Sequence, residues 1–380
     1  MTATSTPFAS GLEGIVAAET RLSHVDGEAG KLILAGLPVE VLAPTATFEE
    51  TVHLFWEGSL PGRSELDLLS RELAERRELP AVTLDLLREA ARAGADPMDA
   101  LRTAASTLSL APGAGEPMED AKRLVAAFPT IVAAYHRLSA GDEPIAPDPA
   151  LGHVADYLYM LEGARPHPRR ERALTTYLNT VVDHGMNAST FTARVIISTR
   201  SDVVSAVVGA VGALKGPLHG GAPGPALDMV FEIGEASRAE AVVRRMLERG
   251  DRLMGFGHRV YKVRDPRADV LSQAARTLAD EGEAAELHAL ARAVEETVVR
   301  LLEEAKPGKR LKTNVEYYTA LLLHGIGLPK ELFTPTFAIG RVAGWTAHCF
   351  EQLATGRLIR PASVYTGEER GRWTPIDERA

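Results

Sequence analysis

The chain of 380 residues has a single cysteine, Cys349. One cysteine excludes an internal disulfide framework and a multi-cysteine metal cluster, and it is typical of proteins from a reducing compartment. The opening segment, MTATSTPFASGLEG, lacks both the basic region and the apolar core of an export signal. The longest weakly polar run, Val203 to Leu214, is too short to span a bilayer. We therefore expect a cytoplasmic protein that does not associate with a membrane.

An excess of positive charge is also absent. The chain has 42 Lys and Arg against 51 Asp and Glu, and the resulting net charge of −9 argues against a protein that coats nucleic acid. Fixed-period repeats and low-complexity tracts are lacking as well, so a solenoid is not expected. The length allows a large core in two domains, or in one domain with an additional lobe. Any basic residues that bind a ligand must therefore act locally.

The residue pattern predicts a mainly α-helical fold with a small N-terminal β element. β-Favouring runs occur over Gly14 to Ala17, Leu32 to Leu34 and Val39 to Leu42, between Gly and Pro turns. The first helix is expected to begin after Thr47, which can cap it. Further helices are predicted over residues 63–77, 81–94, 97–109, 117–139, 148–161, 203–214, 228–235, 238–249 and 335–354, with two more in 268–305.

The stretch MGFGHRVYKVRDPRA, residues 254–268, is the most informative local pattern. His258 lies between small residues, and five Lys or Arg stand between Arg252 and Arg267 against the single acid Asp265. Glycines on either side allow the backbone to approach a bound group closely. A histidine there can transfer a proton or polarise a carbonyl, and the cations suit an anionic ligand. A basic surface turn before a helix is an equally good interpretation of this stretch alone.

Two further histidines and one carboxylate stand at breaks between helices. His184 lies at the junction of two helices within residues 169–200, the second of which is capped near Asn187. His219 lies in LKGPLHGGAPGPA, where glycines and prolines at 215–225 exclude a regular element. Glu316 follows the basic run KPGKRLKTN. Taken separately, these residues also fit a core histidine, a connecting loop and a solvated basic turn.

Together, the motifs GPLHGGA, GFGHRVYKVRDPR and NVEYYTA have the order and spacing of the citrate synthase family. The resemblance extends through DHGMNASTFTARV, GRVAGWTAHCFEQ and LIRPASVYTG, and so covers nearly the whole chain. It implies a large helical domain (1–220 and 321–380) and a small helical domain (221–320) that closes over the active-site cleft. It also implies a homodimer whose active sites are shared between subunits. A dimer is expected rather than an NADH-regulated hexamer, because the N-terminal segment is too short for the extra domain of the hexameric members.

The resemblance also implies roles for individual residues. Glu316 is expected to be the base that deprotonates the acyl-CoA, His219 to stabilise the enolate, and His258 to polarise the ketone of oxaloacetate. Expected ligands of oxaloacetate are His184, Arg267, Arg341 and, from the partner subunit, Arg360. Expected contacts to CoA are Lys262, Lys309 and Lys312. No metal or cofactor is expected, since acetyl-CoA is a substrate, and nucleic acid is not an expected partner.

The sequence departs from the family pattern at three positions. Glu316 stands where the family has aspartate, Gly185 where it has glutamate, and Thr313 where it commonly has proline. The leading expectation is a citrate synthase, an acyltransferase of the tricarboxylic acid cycle. The first alternative is a 2-methylcitrate synthase that uses propionyl-CoA, since a pocket discriminates one methylene by only about 1–3 kcal/mol. The second is a non-catalytic paralogue that binds CoA or oxaloacetate.

Overall fold

The computed structural model describes residues 9–220, 223–258, 260–278, 283–367, 371 and 373–379. Within these residues the chain forms sixteen α-helices and one small three-stranded sheet near the N-terminus. The predicted fold class, mainly α with a small N-terminal β element, is confirmed. In the same residues, no helix combines the length and the apolar character needed to cross a membrane.

The helices follow one another closely along the chain. They are α1 Val39–Thr45, α2 Phe48–Glu57, α3 Arg63–Ala74, α4 Ala81–Arg92, α5 Pro97–Ser106, α6 Pro117–Ala140, α7 His153–Glu162, α8 Pro168–Val181, α9 Ala188–Ser198, α10 Val203–Leu214, α11 Pro223–Ile233, α12 Ala239–Glu248, α13 Pro266–Leu278, α14 Glu283–Ala305, α15 Val315–Ile326 and α16 Phe333–Thr355. The sheet is antiparallel in the order β1 Ser23–Asp26, β2 Lys31–Leu34 and β3 Leu37–Pro38.

The N-terminal β prediction was right in kind but wrong in two of its three runs. Gly14 to Ala17 is irregular and exposed, and the first strand lies later, at β1. Val39 to Leu42 is part of α1 rather than a strand. Val39, Leu42 and Ala43 are all buried, and their i, i+3, i+4 spacing places them on one face of a helix. Packing against α8 and α13 selects the helix there.

Helix starts predicted from capping residues are confirmed. The Thr47 hydroxyl accepts the Glu50 N–H at 3.1 Å, while the Glu50 carboxylate accepts the Thr47 N–H at 2.7 Å. The side chains of Asn187 and Asp202 cap α9 and α10 by accepting the N–H groups of Thr190 and Ser205.

Two helix starts differ from the prediction by five residues. The helix predicted over 148–161 begins only after Gly152, its N-cap. Conversely, α11 begins at Pro223, inside the stretch expected to be irregular. Proline is tolerated in a first helical turn, because the N–H that it lacks has no helical partner there.

Helix α16 runs through the core and is buried along most of its length. A Cβ at Gly340 would lie 2.9 Å from the Leu178 carbonyl oxygen, and a Cβ at Gly344 would lie 2.1 Å from that of Val182. Glycine at these two positions therefore lets α16 contact the backbone at the end of α8. This contact brings Arg341 of α16 close to the segment that carries His184.

Cys349, also on α16, is fully buried. Burial raises the pKa of its thiol to about 12, because the thiolate is disfavoured away from water. The residue therefore serves as a small apolar side chain in the core.

Candidate active site

Residues expected to act on one substrate pair converge in space, although they come from five separate segments. The rings of His184 and His258 are 5.6 Å apart. The charge of Arg341 influences the pKa of His184, His219 and Glu316. The three histidines and Glu316 retain partial exposure, while both arginines beneath them are buried. The group brought together is His184, His219, His258, Arg267, Glu316 and Arg341.

Contacts with the backbone fix the tautomer of His258. Its Nδ1 accepts hydrogen bonds from the N–H groups of Val260 at 3.0 Å and Tyr261 at 3.1 Å. Burial, assisted by the charge of Arg267, lowers the pKa of His258 to about 4, so the ring is neutral at pH 7. A neutral ring whose Nδ1 accepts must carry its proton on Nε2. His258 therefore presents an N–H donor on the edge opposite its own loop.

His184 follows the end of α8, and its Nε2 lies 3.1 Å from the Tyr261 hydroxyl. Burial, followed by the positive charge of Arg267, lowers its pKa well below the ordinary value. The preceding residue, Asp183, is fully buried and accepts hydrogen bonds from Ser23 Oγ at 2.5 Å and from His348 Nε2 at 3.1 Å. Those contacts fix the backbone that carries His184.

His219 lies in the turn after α10 and pairs through Nε2 with Ser189 Oγ at 2.8 Å. The Ser189 oxygen also accepts the indole N–H of Trp345 at 3.1 Å. Burial lowers the pKa of His219 to about 4, so its ring is neutral. The Ser189 hydroxyl donates its proton to Asn187 Oδ1 at 2.8 Å, so in this arrangement its oxygen accepts Nε2–H of His219. A turn of that hydroxyl toward Nε2 would place the imidazole proton on Nδ1.

Glu316 stands in the first turn of α15, where the Asn314 side chain accepts its N–H at 3.0 Å. Burial raises the pKa of Glu316 to about 7, despite the opposing charges of Arg267 and Arg341. The side chain also keeps some contact with solvent. A carboxylate with a pKa near 7 is well suited to accept a proton at neutral pH.

The segments that carry His258 and Glu316 are joined directly by backbone contacts. Phe256 and Thr313 form an antiparallel β-bridge. The Gly257 N–H donates to the carbonyl of Lys312 at 2.7 Å, and the Asn314 N–H donates to that of Gly255 at 3.0 Å. The distance between the proton donor and the base is thus set within one small unit of backbone.

The two buried arginines differ in their partners. The Arg267 guanidinium binds the Asp265 carboxylate through Nε at 3.0 Å and Nη2 at 2.7 Å. Arg341 Nε donates to the carbonyl of Val181 at 2.5 Å, whereas its buried Nη1 has no hydrogen-bond partner in the described part of the chain. Burial lowers the pKa of Arg341 to about 10, so it stays charged at pH 7. An unpaired buried guanidinium N–H is costly unless an anionic ligand accepts it.

Two elements at the site had no signal in the sequence. Tyr177 of α8 is fully buried, and its hydroxyl has no hydrogen-bond partner among the described residues. Burial and the charge of Glu316 raise its pKa well above the ordinary value. The turn between β1 and β2 contacts the His258 loop, because the Gly27 carbonyl accepts the Lys262 N–H at 2.9 Å. A Cβ at Gly27 would lie 2.2 Å from the carbonyl oxygen of Val260.

Other predicted residues lie outside this group. The Lys262 side chain is exposed beside the His258 loop, and Lys309 lies in the turn after α14. Lys312 borders a cavity of about 720 Å³ whose lining has four basic and four acidic side chains, so it has no net positive charge. Arg360 is exposed in the C-terminal segment, and its side chain makes no hydrogen bond or ion pair within the described residues.

Comparison with known proteins places the chain among relatives of the same length. The family model described as citrate synthase, C-terminal domain, matches residues 11–362. The chain belongs to the citrate synthase family. A citrate synthase of Haloferax volcanii is 41% identical over 97% of this chain and 98% of its own. A citrate/2-methylcitrate synthase of Bacillus subtilis is 37% identical over 95% of this chain and 96% of its own.

A solved structure extends the likeness to three dimensions. The Thermoplasma acidophilum citrate synthase in ternary complex with carboxymethyl coenzyme A and oxaloacetate is 30% identical. It superposes with a TM-score of 0.89, over 98% of this chain and the full length of that one. The family likeness therefore covers fold and sequence together, and the chain is an enzyme of the acyltransferase class. No group of three or more His, Cys, Asp or Glu among the described residues is placed to hold a metal ion.

Proposed function

We propose that this protein condenses acetyl-CoA with oxaloacetate and water to give citrate and free CoA. The observation that carries the proposal is the pairing of His258, an N–H donor, with Glu316, a carboxylate whose pKa is about 7. Their segments are joined by the Phe256 and Thr313 bridge, next to two buried arginines. Membership of the citrate synthase family supports the same reaction.

Carbon acidity is the first difficulty of this reaction. Glu316 removes a proton from the methyl group of the thioester, and negative charge develops on the thioester oxygen. His219, a neutral ring that pairs with Ser189, donates a ring N–H to that oxygen once the Ser189 hydroxyl turns from Asn187 Oδ1 to His219 Nε2 and the imidazole proton is on Nδ1. Because the His219 ring is neutral, it can stabilise the enolate by a hydrogen bond without a prior change in its protonation state.

Carbon–carbon bond formation is the second step. The enolate carbon attacks the ketone of oxaloacetate, whose oxygen receives a proton from His258. Arg341, Arg267 and His184 hold the carboxylates of the dianion, because planar guanidinium groups match carboxylate geometry. Water then cleaves the thioester of the citryl-CoA product and releases CoA as a thiol.

The identity of the acyl group is tested by thiol release. We expect oxaloacetate-dependent release of CoA from acetyl-CoA, with citrate detected by mass spectrometry and a kcat/KM above that for propionyl-CoA. A higher kcat/KM for propionyl-CoA would indicate a 2-methylcitrate synthase, the alternative supported by the similarity to the Bacillus subtilis enzyme. Binding of oxaloacetate without thiol release from either acyl-CoA would indicate a non-catalytic paralogue.

Domain organisation and CoA binding are part of this proposal. A small domain from 221 to 320 carries His258 and Glu316, and its closure on the rest of the chain completes the acyl-CoA site. Its first residue, Gly221, lies outside the described residues. Lys262, Lys309 and Lys312 are proposed to contact CoA at the open side of the site. Cytoplasmic localisation stays a prediction from the single cysteine.

A homodimer is proposed for the chain, with Arg360 reaching the partner's active site. Several large apolar side chains of the C-terminal segment are exposed in the single chain, including Val364 and Trp373, which is 77% exposed. Several large apolar side chains in one segment lose this contact with water when a second subunit covers them. An extended segment around Pro361 is suited to reach a neighbouring subunit.

Complementation tests the position of Arg360. Arg360→Ala and His258→Ala subunits are each expected to be nearly inactive as homodimers. When they are combined in one heterodimer, one of the two sites receives an intact His258 and an intact Arg360, so part of the thiol release should return. The measurement uses differently tagged subunits purified as verified heterodimers, with each homodimer as control. Absence of any recovery would show that Arg360 acts within its own subunit.

A further inference from the structure

Glu295, in the middle of α14, is an almost completely buried carboxylate at 4% exposure. One of its oxygens accepts the Thr313 hydroxyl at 2.5 Å and is also bound by Arg264 Nη1. The other accepts the Tyr318 hydroxyl at 2.6 Å. A buried carboxylate is stable only when such donors replace its water, so all three partners are held to it.

The partners of Glu295 come from both segments that carry reacting groups. Arg264 belongs to the loop that follows His258, and its guanidinium also lies 5.5 Å from the centre of the Tyr318 ring. Thr313 stands just before Asn314, the N-cap of the helix α15 that carries Glu316, and Tyr318 lies within that helix. The Glu295 carboxylate of α14 therefore contacts both the segment that carries His258 and the segment that carries Glu316.

Backbone contacts join the same two segments. The Phe256 and Thr313 bridge sets the distance between the two lengths of backbone. The Asp265 N–H donates to the Thr313 carbonyl at 3.2 Å, and the Asp265 carboxylate accepts the Val315 N–H at 3.2 Å. With Glu295 on the Thr313 hydroxyl as well, the start of α15 is held on two sides.

We propose that Glu295 is a positioning residue: through Thr313, Arg264 and Tyr318 it fixes the orientation of Glu316 relative to His258. This inference rests on the function proposed above. It assigns a purpose to Thr313, because a residue without a hydroxyl at that position could not bind Glu295. A displacement of about 1 Å between reacting groups can lower a rate about 100-fold, so small changes in this arrangement are expected to be visible in kcat.

The test compares Thr313→Val with Thr313→Ser. The valine variant keeps side-chain volume but removes the hydroxyl, and we expect its kcat to fall about tenfold or more, with oxaloacetate affinity within about twofold of the unmodified protein. The serine variant keeps the hydroxyl and should retain most of the activity. Thr297→Val is the matched control, since within the described residues the Thr297 hydroxyl bonds only to the Ala293 carbonyl of its own helix.

A readout specific to the base separates positioning from loss of fold. Exchange of the acetyl-CoA methyl protons with D₂O is followed by NMR in the presence of malate, which resembles oxaloacetate but has no ketone. We expect slow exchange for Thr313→Val and normal exchange for Thr313→Ser and Thr297→Val. Glu295→Met, which removes the accepting oxygens, should slow exchange too, and adding Thr313→Val to it should cause little further loss, since both changes break the same contact.

The possible outcomes are distinguishable. Normal kcat and normal exchange in Thr313→Val, with active unmodified protein, would overturn the positioning role and leave the proposed function intact. A lower thermal midpoint with unchanged kcat per oxaloacetate-binding site would show that the contact serves stability alone, which also overturns it. Lack of thiol release by the unmodified protein would contradict the proposed function itself.

Discussion

Replacing Glu316 by glutamine is expected to lower kcat by about 1,000-fold, while oxaloacetate binding is retained. Glutamine has nearly the same shape but no basicity, and general base catalysis contributes roughly 10²–10⁴ to a rate. Binding should persist because Arg267 and Arg341 are unchanged. Stopped-flow thiol release and calorimetric titration with oxaloacetate measure the two effects separately. A variant that keeps more than a tenth of the activity would show that another group removes the proton.

Aspartate at the same position tests whether the site is adapted to the longer side chain. Thr313, Asn314 and Asp265 all fix the start of α15, so the backbone does not move freely when the side chain is shortened. We therefore expect Glu316→Asp to lower kcat, by up to about 100-fold for a displacement near 1 Å. A kcat that rises tenfold or more would contradict this adaptation.

The pH dependence of Glu316 has a defined sign. Because its pKa in the folded protein is raised to about 7, the base is protonated at lower pH, so kcat/KM for the acyl-CoA should fall below pH 7. The folded state favours the protonated form, so stability decreases as pH rises from the ordinary value of 4.5 to about 7 and is constant above that. Glu316→Gln should therefore raise the thermal midpoint more at pH 8.5 than at pH 5.5. Equal changes at both pH values would contradict the raised pKa.

Arg341→Lys is expected to weaken oxaloacetate binding about 100-fold, which corresponds to roughly 3 kcal/mol. Lysine keeps the charge but cannot both donate to the Val181 carbonyl, as Nε does, and offer the planar donor that Nη1 provides. Isothermal titration with oxaloacetate measures the change directly. Arg357→Lys, an exposed position just after α16, is the matched control. Unchanged affinity in Arg341→Lys would show that the substrate does not contact this guanidinium.

The sequence predicted those parts of the structure that local chemistry determines. Thr47, Asn187 and Asp202 have side chains that bind free N–H groups of a first helical turn, and each starts a helix as expected. The strand prediction for Val39 to Leu42 was wrong because four residues of mixed polarity fit both the strand period and the helical period. Only burial against α8 and α13 decides between them.

Site residues could be predicted where they belong to a recognisable motif. Their protonation, tautomer or burial could not be predicted where it depends on contacts with residues distant in the sequence. His258 could be proposed from its glycine-rich loop, but its tautomer depends on the N–H groups of Val260 and Tyr261. Glu295 is one of several glutamates on an amphipathic helix, and its sequence context resembles that of Glu296, which is exposed. Such residues are recognised only when the fold brings their partners together.

The burial of Cys349 also determines which reagents can be used with this enzyme. Colorimetric detection of CoA depends on a disulfide reagent that reacts with any accessible thiolate. A fully buried thiol with a pKa of about 12 gives no such reaction in the folded state, so the background should stay flat during turnover. The same reagent reacts once the core opens, and one molar equivalent of colour per chain then counts unfolded molecules. One reagent can therefore follow substrate turnover in a run with acyl-CoA and loss of structure in a run without it.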